Sequence, residues 1–428
     1  MDESSRGSAD APAIEVMPTS GKRLIGIEGL RGAAAVSVML GHFNLHLVPA
    51  EMISPLARPL LNAAGQGLTL FFVLSGFLLF GPFLSAAADG RPFGTRQYFL
   101  NRFLRIYPGY VVIFVLVALV FGLAYTHTVT QADAGVGTVS ESVGRMTDTG
   151  SIAANLLLVH TLLPSTIKTG LGVSWSLTAE ICFYLLLPLL AFAAVALARR
   201  YGLNRAAVIV SFGMIVFGLA CRIGGEATIH GDAAAQFYQR WGGNWMAVYL
   251  RSILCQADLF GVGMLAVVAY RHSTTITDPA GRLRFRRALY GAALAGLVLT
   301  RIEREFGFAL FFAAVLLIVT TETSARRPHR LAGLLEWHPV RWLGVISYSF
   351  YLWHLPVIWG VFKWQLLGVR PDTLPGVIWT YVVAFSLTTA LSAATYLAIE
   401  RPALLLKSRP GRRRAPAPQT RPVMRDAL

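Results

Sequence analysis

The sequence predicts an all-α fold, a polytopic helical bundle embedded in a membrane, and three properties of its composition predict it. Of 428 residues, 55% are hydrophobic, only 14% are charged, and the mean hydropathy is +0.56. A soluble domain usually contains about a quarter charged residues. The composition therefore excludes a chain of ordinary soluble domains and predicts one that crosses a bilayer several times.

Ten apolar stretches approach the roughly 20 residues that a transmembrane helix needs. They lie at about 24–46, 66–84, 104–126, 174–197, 206–222, 246–270, 288–302, 306–321, 341–363 and 376–398. The seventh and eighth are short and are joined only by residues 303–305, so a tight hairpin or a half-span is an alternative there. The longest connection contains an apolar stretch, Ile152 to Leu163, that suits an interfacial or re-entrant helix.

The formal net charge of +16 and the pI near 10.3 are high for so apolar a chain. In a soluble protein this charge would suggest nucleic acid, whereas in a membrane protein it first serves to orient the spans. With the N-terminus inside, most of the 38 Lys and Arg residues fall in cytoplasmic segments. We therefore predict cytoplasmic N- and C-termini, a lipid bilayer as partner and no nucleic acid. The high Ala, Gly and Arg content suggests a GC-rich bacterial genome, and we predict a multi-pass protein of the bacterial plasma membrane.

The ends of the chain differ from its centre. Residues 1–23 are small and polar and residues 403–428 are rich in Arg and Pro, so we predict a disordered cytoplasmic leader and a disordered basic tail around a membrane domain at 24–402. The cysteines Cys182, Cys221 and Cys255 show no metal-ligand spacing and are interpreted as packing residues. The sequence predicts neither a disulfide framework nor a metal site.

Ionisable side chains inside the apolar stretches are the first candidates for a functional site. Each costs roughly 2.5–3.5 kcal/mol near the membrane centre, so those that persist are usually paired or functional. The candidates are Glu28, Arg31, His42, Glu180, Arg251, Asp258 and His354.

Arg31 and His42 stand out among these candidates. They are 11 residues apart, which places them within about 20° of one helix face and about 16 Å apart along the axis. A local ion pair with Glu28 would also offset the cost of placing the Arg31 charge in the membrane. His42 alone could be a buried histidine bonded to a carbonyl. Both alternatives stay open at this stage.

Three further polar positions border the apolar stretches. Arg102 and Arg105 share a helix face at the mouth of the third stretch, where they suit phosphate oxygens or serve as positive-inside anchors. Glu180 follows a Ser-Trp-Ser sequence in the fourth stretch. His354 lies near Tyr351 in the ninth, among aromatics that also fit an interfacial belt.

Together these segments resemble the acyltransferase-3 family of integral membrane O-acyltransferases, over nearly the whole chain. The matching stretches are Glu28-Gly29-Leu30-Arg31-Gly32 with His42, Leu70-Phe71-Phe72-Val73-Leu74-Ser75-Gly76-Phe77, Arg102 and Arg105 with Pro108, Ser174-Trp175-Ser176 with Glu180, Ser347-Tyr348-Ser349 through Trp353-His354, and Glu400-Arg401-Pro402. Many members have an acidic residue before the Leu-Phe-Phe of the second span, where this chain has Thr69.

The resemblance implies transfer of an acyl group, commonly acetyl, from cytoplasmic acyl-CoA to a hydroxyl of a sugar, glycolipid, cell-envelope polysaccharide or secondary metabolite. Acyl-CoA would be the donor substrate, with no permanently bound cofactor. Arg31 and His42 would be the characteristic functional pair, with His42 as general base.

The other candidate residues receive supporting roles under this resemblance. Arg102 and Arg105 would hold the phosphates of CoA while the thioester passes Arg31. Glu180 would orient a histidine or bind the acceptor, and His354 would be a reserve base. Direct transfer is expected, with an acyl-histidine intermediate as the alternative.

Two other functions remain compatible with the same residues. Intramembrane carboxylates, Arg and His also occur in transporters or flippases of polar lipids and metabolites, although the sequence shows no internal repeat. A scaffold subunit with a degenerate site is compatible with Thr69 in place of an acid.

Overall fold

A computed structural model of the chain shows a helical bundle. It describes residues 24–48, 52–54, 56–130, 142–321, 330–366 and 373–406. The predicted leader at 1–23 and residues 407–428 of the predicted tail lie outside these ranges. Residues 403–406 are described, and the last helix ends at Leu405.

Among its described residues, the first part of the chain contains nine α-helices and a short hairpin. In chain order these are α1 (Ile27–Leu47), α2 (Ala57–Ala64), α3 (Gly67–Ala88), α4 (Thr95–Val115), β1 (Ala124–Tyr125), β2 (Val143–Gly144), α5 (Thr149–Leu156), α6 (Trp175–Tyr201), α7 (Leu203–Ala227), α8 (Ala233–Trp241) and α9 (Trp245–Arg251). The second part contains helices and no strand among its described residues. It contains α10 (Ile253–Ser273), α11 (Pro279–Leu299), α12 (Arg304–Thr321), α13 (Arg330–Leu335), α14 (His338–Val345), α15 (Ser347–Lys363), α16 (Leu374–Thr395) and α17 (Arg401–Leu405).

The described helices confirm an all-α membrane protein. Seven continuous helical stretches are long and apolar enough to cross a bilayer, and α14 with α15 would make an eighth that is bent by 79°. Each of the ten predicted apolar stretches lies mostly on one or more helices. The count of ten spans and the cytoplasmic position of both termini stay predictions.

The connection between α4 and α6 is folded against the bundle. Helix α4 continues as a π-helix at Leu116–Phe121, and β1 and β2 then pair antiparallel. The apolar stretch Ile152 to Leu163 is not one continuous helix, since α5 ends at Leu156 and a 3-10 turn follows at His160–Leu162. Leu158 has a left-handed backbone, with φ of 56°, which interrupts the helix between them.

Helix α10 lies at the centre and contacts α3 and α7 closely. A Cβ atom at Gly263 of α10 would stand 2.1 Å from the carbonyl oxygen of Val73 in α3, and one at Gly218 of α7 would stand 2.2 Å from the backbone nitrogen of Asp258. In a bilayer there is no hydrophobic driving force between helices, because lipid tails are as apolar as the side chains. Helices associate instead through such close packing of small residues. The glycines therefore set the spacing of the central helices.

Helix α1 is held against α14 and α15, which places its polar face inside the bundle. A Cβ atom at Gly344 of α14 would lie 1.8 Å from the carbonyl oxygen of Glu28. This contact fixes the start of α1 beside the bend between α14 and α15. Arg31 consequently faces the first residues of α15.

Replacing Gly218 by Ala should lower the thermal unfolding midpoint of the detergent-solubilised protein. The added methyl group meets the backbone of α10, and overpacking of this kind costs about 1–3 kcal/mol. Gly213→Ala on the same helix is the matched control, since its Cβ has no neighbour within 4 Å. Equal midpoints for the two variants would show that the α7–α10 contact does not determine stability.

Candidate active site

Arg31 is positioned by α1 and has partners from distant parts of the chain. It is half-buried, and its Nε donates a hydrogen bond to Ser347 Oγ at 3.3 Å. The carboxylates that act most strongly on its charge are Glu180 and Glu400. Arg31 is therefore stabilised from other helices, besides any local contact with Glu28.

Arg105 lies on α4 and forms a buried ion pair with Glu400. Its Nη1 donates to Glu400 Oε2 at 3.2 Å, and Ser349 Oγ donates to the other carboxylate oxygen. Glu400 ends a π-helical segment, Tyr396–Glu400, that continues α16. Burial of both partners requires this pairing, because an unpaired charge in a low-dielectric interior is very costly.

Arg102 and Arg105 also present donors that the protein itself does not satisfy. Arg102 Nε and Arg105 Nη2 are buried and have no hydrogen-bond partner among the described residues. The Arg102 guanidinium lies 5.8 Å from the centre of the Tyr184 ring. Buried donors are normally satisfied, and forked guanidinium groups match phosphate oxygens well. The two side chains can therefore receive an anionic ligand.

Glu180 lies on α6 beside these arginines. It accepts hydrogen bonds from Ser75 Oγ at 2.8 Å and Tyr184 Oη at 2.5 Å. A cavity of about 90 Å³ lies between these groups, and we call it the arginine cavity. Its polar lining consists of Arg31, Ser75, Arg102, Arg105, Ser176, Glu180, Tyr184, Ser347, Tyr348 and Tyr351.

His42 and His354 form a hydrogen-bonded pair farther along α1. His42 Nδ1 lies 3.0 Å from the carbonyl oxygen of Val38 and 3.2 Å from His354 Nε2. Since a carbonyl oxygen only accepts, Nδ1 of neutral His42 carries the proton, and Nε2 carries the lone pair. His354 Nε2 is then an acceptor as well. His354 is fully buried, whereas His42 is half-buried.

His42 lines a second, larger cavity of about 460 Å³, which we call the histidine cavity. Its lining combines aromatic rings with polar side chains. They include His42, His46, Gln66, Thr69, Phe72, Tyr125, Lys168, Trp175, Phe237, Trp241, Gln256, Glu305 and Tyr351. Thr69 donates to Gln66 Oε1 at 3.3 Å. It supplies a hydroxyl at the position where many members of the family that the sequence resembles have an acidic residue.

The two cavities share three lining residues, which we call the wall. Leu68, Phe72 and Tyr351 line both of them. The Tyr351 hydroxyl donates to the carbonyl oxygen of Val173 at 2.9 Å and lies 2.7 Å from Ser176 Oγ. These bonds fix the tyrosine ring in the wall.

The structure divides the predicted site residues into two groups. Four line the arginine cavity: Arg31, Arg102, Arg105 and Glu180. The other two, His42 and His354, pair at the histidine cavity. Glu400 belongs to this site as well; its Glu-Arg-Pro sequence supports the family resemblance but predicts no ion pair with Arg105.

Two predicted intramembrane charges do not line either cavity. Asp258 forms a buried ion pair with Arg222, which also binds Glu303 and Glu305. Arg251 packs against Trp241. Within the described part of the chain, no group of three or more His, Cys, Asp or Glu side chains could hold a metal ion.

Three curated relatives are similar to the chain. It is 25% identical to peptidoglycan O-acetyltransferase OatA of Listeria monocytogenes, over 90% of this chain and 56% of the relative. It is 26% identical to putative peptidoglycan O-acetyltransferase YrhL of Bacillus subtilis, over 88% of this chain and 54% of the relative. Acyltransferase MdmB of Streptomyces mycarofaciens is 31% identical over 40% of each chain.

The chain thus spans little more than half the length of OatA and YrhL. No solved structure matches it. The family model of the acyltransferase domain matches residues 24–397, which include all six predicted site residues. This match covers the two cavities and the wall between them, and the chain therefore belongs to the acyltransferase-3 family of membrane acyltransferase enzymes.

Proposed function

We propose that the protein transfers an acyl group, most simply acetyl, from acyl-CoA to a hydroxyl of a glycan. The donor would bind in the arginine cavity and the acceptor in the histidine cavity. The observation that carries this proposal is the arrangement along α1, in which Arg31 and His42 line separate cavities that share the lining residues Leu68, Phe72 and Tyr351. One helix face would thus connect the two half-sites.

The charges of the arginine cavity support an anionic donor. Three arginines face two carboxylates, Glu180 and Glu400, and the carboxylates are already engaged by serine and tyrosine hydroxyls. The unsatisfied nitrogens of Arg102 and Arg105 would bind CoA phosphates, and charge-assisted hydrogen bonds of this type are the stronger ones. The thin pantetheine arm would then extend past Arg31 toward the wall.

His42 would act as the general base. Its Nε2 would take the proton of the acceptor hydroxyl while that oxygen forms a bond to the thioester carbon. The C–S bond then breaks, and the CoA thiolate receives the proton from the His42 imidazolium. The proton taken from the acceptor is thus returned to the leaving thiolate and no further reactant is needed. Direct transfer therefore does not require a cysteine nucleophile.

His354 would position His42 instead of acting as a second base. It is fully buried, and its Nε2 accepts from His42 Nδ1, which keeps the His42 lone pair on Nε2. When His42 takes up a proton, this hydrogen bond would strengthen because its donor becomes charged. A neutral imidazole avoids the desolvation cost that a carboxylate would have here.

The relatives support the choice of acceptor and location. Two of them are named peptidoglycan O-acetyltransferases, which favours a cell-envelope glycan over a glycolipid or a secondary metabolite. The location that fits this acceptor is a bacterial plasma membrane, with acyl-CoA supplied from the cytoplasm and the glycan from the opposite face. Transfer would then take place between the two sides.

Purified protein incubated with acetyl-CoA labelled in the acetyl group should transfer the label to a hydroxyl acceptor or to water. His42→Ala should reduce this rate by about 10²- to 10⁴-fold, the usual contribution of a general base. Binding of acetyl-CoA should be unchanged, because His42 lines the other cavity.

The matched control for this variant is His272→Ala. His272 is exposed near the end of α10, away from both cavities. Full activity of His42→Ala would refute the base assignment. Absence of both hydrolysis and transfer in the wild type would favour a transporter or a scaffold.

Arg102→Ala should weaken acetyl-CoA binding by about tenfold or more, since a hydrogen bond to a charged group contributes about 1.5–3 kcal/mol. Titration at several salt concentrations should also give a shallower salt dependence. Arg96→Ala on the exposed first turn of α4 is the control. If both variants bind alike, Arg102 is only a topological anchor.

His354→Ala should lower kcat by about tenfold or more, equivalent to about 1.4 kcal/mol of transition-state stabilisation, without raising the KM for acetyl-CoA. His354→Asn retains an acceptor atom and should restore part of the rate, whereas His354→Phe should not. A rise in KM with unchanged kcat would assign His354 to donor binding.

A further inference from the structure

Arg251 is a buried cation that has no role in the proposed reaction. It ends α9, is 8% exposed, and its Nη1 donates to the carbonyl oxygen of Ala247 at 3.3 Å. None of the ion pairs within the described residues includes it. Burying an arginine without a carboxylate is costly, so its surroundings need an explanation.

The partners of Arg251 are two indole rings. Its guanidinium carbon lies 4.1 Å from the centre of the Trp241 ring and 6.0 Å from that of Trp175. Both distances fall within the range of cation–π attraction, which strengthens when the cation is desolvated. Arg251 therefore fixes the positions of two tryptophans that come from separate helices.

Both tryptophans line the histidine cavity. The polar side chains of that cavity include Lys168, Gln256 and Glu305, and Arg222 holds Glu305 at 2.7 Å. The volume of about 460 Å³ is within the roughly 300–1,000 Å³ typical of small-molecule sites. The cavity thus offers flat apolar surfaces and hydrogen-bonding groups in one enclosure with His42.

We propose that Trp241 and Trp175, held by Arg251, form the acceptor subsite and bind the pyranose ring of a glycan. A pyranose has C–H faces that stack on an indole and hydroxyls at its edge that need polar partners. The histidine cavity supplies both. Stacking would present a ring hydroxyl to His42. This inference rests on the proposed function, because it names the acceptor from which His42 would take a proton.

The test uses the full chain, labelled acetyl-CoA and two acceptors, an N-acetylglucosamine trisaccharide and glycerol. Trp241→Ala should lower kcat/KM for the trisaccharide by about three- to tenfold, the effect expected from losing one aromatic stacking contact. The rate with glycerol, which has no ring to stack, and the Kd for acetyl-CoA should be unchanged. Trp241→Phe should retain part of the preference for the trisaccharide.

Trp245→Ala is the matched control, because Trp245 is 66% exposed and is not part of the cavity lining. It should behave like the wild type with both acceptors. Equal loss of the two activities in Trp241→Ala, or no loss in either, would overturn the subsite. Failure of the wild type to acylate either acceptor would instead contradict the proposed function. The acceptor subsite would then be refuted as well, because it depends on that function.

Discussion

The ion pair between Arg105 and Glu400 is the interaction on which the arginine cavity depends. Each of these charges would be prohibitively costly alone in a low-dielectric interior, so α4 and the end of α16 must meet where they do. Glu400 also accepts from Ser349 of α15 and attracts Arg31 of α1. One carboxylate therefore holds four helices around the same small volume. The π-helical segment Tyr396–Glu400 ends at this carboxylate, and such segments often occur at functional sites.

The 79° bend between α14 and α15 has a similar role. In a straight span, the polar residues of α15 would face lipid or bond only to their own backbone. The bend instead places the first turn of α15 beside α1, so that Ser347 meets Arg31 and Ser349 meets Glu400. Farther along the same helix, His354 meets His42. Helix α15 thus supports both half-sites.

Relations within one helix could be predicted from the sequence, whereas relations between distant helices could not. Helical periodicity placed Arg31 and His42 on one face and paired Arg102 with Arg105. The contact of His42 with His354 joins residues 312 positions apart, and that of Arg105 with Glu400 spans 295, so only folding reveals them. The apolar stretches predicted helices well because a bilayer demands internally satisfied backbones. Their number is harder to predict, since polar residues in helices such as α1 lower the hydropathy of a segment that still packs inside the bundle.

The wall of Leu68, Phe72 and Tyr351 has a consequence for the membrane itself. An enzyme whose substrates come from opposite sides needs a route across the bilayer, and an open route would let protons and ions leak. In this bundle Leu68, Phe72 and Tyr351 lie where the two cavities meet, and under the proposed function they would close that route. Under the proposed function only the small, uncharged acyl group would have to pass these residues, while the charged head of the donor and the polar acceptor would stay on their own sides. The space that these three side chains leave for the acyl group, more than the volume of either cavity, would then limit the length of the acyl chain.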